Sequence, residues 1–171
     1  MPTKIAGLVA AEKELIDVPA WNERGADGLD LSAPLEIDGV VVEALALRGR
    51  ARRPLADREL IFQLEYHHSQ IIGGPVARIE WRPLNPHSNK GLGPKHLQHV
   101  IQDCSHHHPF DLNWQRSQEA VLQGSLPIAI PLTEEGPEPQ NFRAFLAVVG
   151  KAFRIRNIQL VTPPPWQPTM L

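Results

Sequence analysis

The sequence holds one cysteine, Cys104, in 171 residues. A lone thiol forms no intramolecular disulfide and cannot supply a cysteine-rich zinc site, so both kinds of staple are excluded. Charge of one sign is lacking too: 17 Lys and Arg face 19 Asp and Glu, for a formal net charge of −2. Such a balance offers no global basic field for nucleic acid or membrane. That argues against a dedicated DNA-binding protein, but not against an enzyme that grips one phosphodiester locally. Long hydrophobic runs are missing. The N-terminal apolar stretch, Ile5 to Ala11, ends at Glu12-Lys13-Glu14. This is too short for a secretory signal or a bilayer span, so a cytoplasmic protein without membrane contact is expected. Aromatic residues make up only 6%, which casts Trp81 and Trp114 as packing residues rather than a base-stacking platform. No glycine-rich phosphate loop, G-x-S-x-G elbow or H-E-x-x-H helix occurs.

What is present suits a globular chain: 42% of residues are apolar, enough for one core without cross-links. Residues 1–33, with Pro19, Gly25 and Gly28, read as an N-terminal extension holding a short helix near Ala10–Ile16 and a loop. Residues 34–161 read as a single domain. Asp38-Gly39 lies between apolar runs and predicts a hairpin, because both residues tolerate positive φ. Val40 to Leu47 is apolar on both faces, as in a central strand, and Arg48 to Pro54 reads as an exposed basic turn. Leu60, Phe62, Leu64 and Tyr66 alternate with more polar neighbours. After Gly73-Gly74-Pro75, Ala77, Ile79 and Trp81 do the same, which predicts an antiparallel meander. His96–Ile101 and His107–Leu112 read as two more short strands, and Ser117–Gln123 as a helix ending at Gly124. Phe142, Phe145, Leu146, Val149 and Phe153 form one helical stripe, with Gly150 as an early C-terminal cap. Arg154–Val161 would close the sheet, and residues 162–171 form a Pro-rich tail. The expected class is α+β, a mostly antiparallel sheet with one main amphipathic helix on one face.

The compositional anomaly is histidine. All eight, His67, His68, His87, His96, His99, His106, His107 and His108, fall within about a quarter of the chain. Imidazole suits proton transfer near neutral pH and also metal ligation. In the acid–base reading His96 and His99 act on a phosphodiester with Lys90, while Arg82, Asn89 and Lys95 contact the substrate and His108 with Asp111 forms a secondary cluster. In the metal reading His106 and His108 share a strand face with Asp111 as a third donor, so a divalent metal is the one cofactor considered. The remaining alternative is a non-catalytic interaction domain whose histidines are exposed or satisfied locally.

The layout of Asp38-Gly39, then the loop Asn89-Lys90-Gly91 with His96 and His99, then Asn141 to Val149, resembles the small TumE-type toxins of bacterial toxin–antitoxin pairs. The spacing departs from that family, which carries H-x-H where this chain has His96-x-x-His99. The resemblance implies a toxin-like protein acting inside the cell, neutralised by an antitoxin partner, with its site between His87 and His99. Joined to the acid–base argument, it suggests an RNA-cleaving enzyme.

Overall fold

Asp38 and Gly39 both take positive φ, 52° and 75°, and turn the chain in two residues, as expected of a D-G pair between apolar strands. In this computed structural model, which describes residues 2–68 and 71–168, that turn joins strands of 10 and 13 residues. The chain runs α1 (Pro2–Ala10), β1 (Glu14–Leu15), β2 (Trp21–Arg24), β3 (Gly28–Ile37), β4 (Val40–Arg52), β5 (Leu60–His68), β6 (Ile71–Trp81), β7 (His87–Ser88), β8 (Ile101–Gln102), β9 (His106–His108), α2 (Phe110–Arg116), α3 (Gln118–Leu122), β10 (Ile130–Pro131) and α4 (Phe142–Phe153). Among the described residues eight strands form one sheet in the order β1-β3-β4-β5-β6-β9-β10, with β2 also on β3, while β7 and β8 make a separate ribbon. Every strand pairing is antiparallel, and the α+β class is as expected.

The two faces of the sheet differ in chemistry. One carries Leu29, Leu31, Leu45, Leu47, Leu60, Phe62, Leu64, Ile79 and Trp81, all buried, together with the stripe of α4. Phe145 stacks on Trp81 with ring centroids 5.1 Å apart. Each such side chain contributes about 1.5–3 kcal/mol by leaving water. The other face is polar. Strand pairing lines up Ser32, Arg48, Gln63, Arg78 and His108 in one row, and Asp30, Arg50, Ile61, Glu80 and His106 in the next. Arg48 lies 3.7 Å from both Asp30 and Glu65.

Several expectations change. The first helix spans Pro2–Ala10 rather than Ala10–Ile16, and Ile5, Leu15, Leu29 and Leu31 join the core; the boundary at residue 33 therefore falls inside β3. The basic turn is instead the end of β4, whose Arg48, Arg50 and Arg52 alternate with buried Gly49 and Ala51. Gly49 is required there, since a Cβ would sit 2.8 Å from the Trp21 ring. His96 lies in a 3-10 turn, Lys95–Leu97, and β9 stops at His108 because Pro109, lacking an N–H, starts α2 instead. Gly150 does not end α4. The helix continues to Phe153 and is capped by Arg154 at φ 55°, because a close contact with Ile158, not chain reversal, demands the missing side chain. Residues 154–161 form a 3-10 turn at Ile158–Leu160 and one bridge, Lys13 to Ile155, rather than a strand. The Pro-rich tail packs Trp166 against Phe142.

Candidate metal centre

The two-residue period of a strand puts His106 and His108 on one side of β9, the polar side, and turns His107 towards the core face. The ribbon residue His87 completes a triangle with them. Ring centroids are 5.3 Å apart for His87 and His106, 4.8 Å for His87 and His108, and 5.0 Å for His106 and His108. One ring nitrogen from each lies within 4.8 Å of the other two. His106 and His108 are buried and His87 half-buried.

Hydrogen bonds determine which nitrogen of each ring keeps a lone pair. His108 Nδ1 donates to the Leu126 carbonyl at 2.7 Å, and His106 Nδ1 to the Cys104 carbonyl at 2.9 Å. His87 Nε2 faces two oxygens, Asn89 Oδ1 at 3.0 Å and the Pro127 carbonyl at 3.1 Å. A carbonyl accepts and never donates, so each of these nitrogens carries the proton. In a neutral ring the other nitrogen is then the acceptor: Nε2 of His106, Nε2 of His108 and Nδ1 of His87. Orientation of a ligating imidazole through its other N–H is the usual support of a metal site.

The segment that carries the Leu126 and Pro127 carbonyls is itself clamped at the next two residues, Ile128 and Ala129. Asn89, fully buried, accepts from Ala129 N at 2.9 Å and donates to Ala129 O at 3.1 Å. Buried Gln102 adds a bond to Ala129 O at 3.0 Å, and Asn113 holds Ile128 through both its N–H and its carbonyl. Residues 126–129 thus become a rigid rail for His87 and His108. Gly93 lies under the same rail, its Cβ position 2.7 Å from Ile128 Cγ2.

Arg78 and Glu80, on β6, flank the triangle. Glu80 Oε1 is 3.8 Å from His106 Nε2 and 3.7 Å from His108 Nε2. Arg78 Nη2 donates to His108 Nε2 at 3.1 Å, and its Nε is 2.9 Å from Glu80 Oε1. Burial would raise the Glu80 carboxyl, but His106, His108 and Arg78 around it outweigh this and hold it well below the ordinary carboxylate range. Burial pushes His108 down to about 4; Glu80 opposes the shift and Arg78 reinforces it. His87 is lowered by burial and then by His106. His87 and His108 are therefore neutral at physiological pH, the form that binds metal. A tetrahedral ion with bonds of about 2.0–2.1 Å holds its donors roughly 3.4 Å apart, so the rings, whose donor atoms lie within 4.8 Å of one another, would close in on a bound ion.

No family model, curated protein or solved structure matches this chain. The geometry is what speaks to function.

Of the residues singled out in the sequence, His106 and His108, paired there in the metal reading, belong to the triangle, and Asp111 does not. His96 is exposed and bonds Glu134 at 2.7 Å, and His99 and Lys95 are exposed as well. Lys90 is exposed but lines a cleft of about 320 Å³ together with His87, Ser88 and Asn89. Asn89 is the buried clamp just described. Arg82 lies over the Trp81 ring at 4.6 Å and donates to the carbonyls of Asp57 and Gln140. Asp111 sits exposed at the start of α2, beside a hollow shared with His107. His87, Glu80 and Arg78 were not selected as ligands. The available signal was the pairing of β6 with β9, which brings Arg78 and Glu80 opposite the H-x-H pair.

Proposed function

We propose that this protein binds a divalent transition-metal ion through His87, His106 and His108, with Glu80 within reach as a further donor. The observation that carries the reading is that three imidazoles converge, each with one N–H held by a carbonyl or amide oxygen, which leaves its other nitrogen to a metal, that of His108 in competition with Arg78. A nitrogen-rich set of this kind suits Zn(II), Co(II), Ni(II) or Cu(II) and not Mg(II) or Ca(II), which prefer oxygen. Calorimetric titration of the chelator-treated protein with Zn(II) should show one ion per chain. His87→Ala and His108→Ala should each abolish that binding, and His96→Ala should leave it unchanged. A folded wild-type chain that takes up no ion, or binding lost equally in His96→Ala, would sink the proposal.

A second reading is the cytoplasmic, toxin-like ribonuclease with an antitoxin partner. One observation favours it: Lys90 and His87 line the same cleft, so a phosphodiester there would meet a cation and an imidazole together. RNA cleavage assayed with and without added metal separates the two readings.

A further inference from the structure

We infer that the His87/His106/His108 centre takes a small oxyanion, one oxygen on the metal and another on the Arg78 guanidinium. The inference rests on the metal reading and extends it to the class of ligand. Arg78 Nη2 donates to His108 Nε2 at 3.1 Å, the lone pair that a metal needs. Ion and guanidinium therefore compete for one nitrogen, and ligation of the ion would release the Arg78 Nη2 donor from His108, with Glu80, 2.9 Å from Arg78 Nε, beside it.

Charge then decides what lies between them. The three rings are neutral donors, the ion brings two positive charges and Arg78 one, and Glu80 supplies a single negative charge. Arg78 is only 28% exposed and Glu80 19%, so water screens the excess poorly. A carboxylate halves that excess and a doubly charged phosphate cancels it. Its geometry also matches: two oxygens of one oxyanion span a metal and a guanidinium fork, an arrangement a lysine ammonium reproduces less well. Zinc-type ions accept such a ligand by moving from four to five donors. Neighbouring Gln63, opposite Arg78 on β5, is neutral and brings no competing charge.

The test uses Co(II), whose visible spectrum reports its own coordination, added to the intact chain. Inorganic phosphate and acetate are then titrated separately, and comparing their saturation points tells which oxyanion fits better. At least one should shift the cobalt band saturably in the wild type. In Arg78→Met, cobalt should bind at least as tightly, since its competitor for His108 is gone, while the apparent affinity for the oxyanion falls about tenfold or more. Arg78→Lys should fall in between. Cobalt bound with a spectrum indifferent to both anions, or an unchanged anion affinity in Arg78→Met, would overturn the inference while leaving the metal site standing. Failure of cobalt to bind the folded wild type would remove both.

Discussion

The side-chain amide of Asn89 carries four contacts at once. Its oxygen accepts from His87 Nε2, Gln102 Nε2 and Ala129 N, and its nitrogen donates to Ala129 O. The residue is fully buried, so nothing replaces these bonds when they are lost. Asn89→Ala orphans the Ala129 N–H and loosens the ring of His87. It is expected to lower unfolding free energy by roughly 2–3 kcal/mol and metal affinity about ten- to a hundredfold. Denaturant unfolding and zinc titration of the same variant measure the two effects; a variant normal in both would show that the rail does not position His87. This residue also illustrates what a sequence conceals. Asn89 stands in a loop of Gly, Pro and Lys, which marks it as a ligand contact, whereas the backbone it clamps, at Ala129, lies 40 residues away. The shared face of His106 and His108 could be read directly from their spacing. That His87 joins them could not, because it depends on a ribbon folding back across the sheet.

At the scale of elements, the patterns that rest on burial of one face were legible: the D-G hairpin, the alternation of β5 and β6, and the stripe of α4. Element ends were not, because they depend on tertiary contacts. Gly150 is the clearest instance. A Cβ there would meet Ile158 Cγ2 at 2.5 Å and the Ile155 carbonyl at 3.2 Å, so the glycine lets the returning chain press onto the helix. Helix propensity alone would favour alanine by up to about 1 kcal/mol. Overpacking costs roughly 1–3 kcal/mol, and the contact here involves a branched side chain and backbone with little room to give. Gly150→Ala should therefore be destabilising overall. Combining it with Ile158→Ala, which removes the obstructing methyl, should cost less than the two single changes added. Additive losses in thermal unfolding would show that the clash is not the cause.

Across the whole molecule, the apolar side of the sheet is closed by helices from opposite ends of the chain, and Lys13 ties those ends together. It is fully buried. Its Nζ donates at 2.7 Å to the carbonyls of Val9, in the last turn of α1, and Ala11, just past it, and at 3.0 Å to that of Phe153, at the end of α4. Its backbone bonds Arg154 and Arg156, and Leu15 is paired with Asn157 alongside. The carbonyl ends of two helices favour a cation. Even so, burial, reinforced by Arg154 and opposed by Glu12, lowers the ammonium from 10.5 to about 8. The sign follows from proton counts. Between pH 8 and 10.5 the unfolded chain holds this proton and the folded chain does not, so folding stability rises with pH across that window. Lys13→Met keeps the length of the side chain but leaves three buried carbonyls without their donor, and is expected to cost about 1–3 kcal/mol at pH 7. The deficit should widen as pH climbs from 8 towards 10.5, because the wild type gains stability there and the variant lacks the group that titrates. Urea unfolding of both proteins at pH 7, 9 and 10 measures it. A difference that stays constant would mean that Lys13 enters the fold with its ordinary basicity, and one that shrinks that the two helix ends raise it.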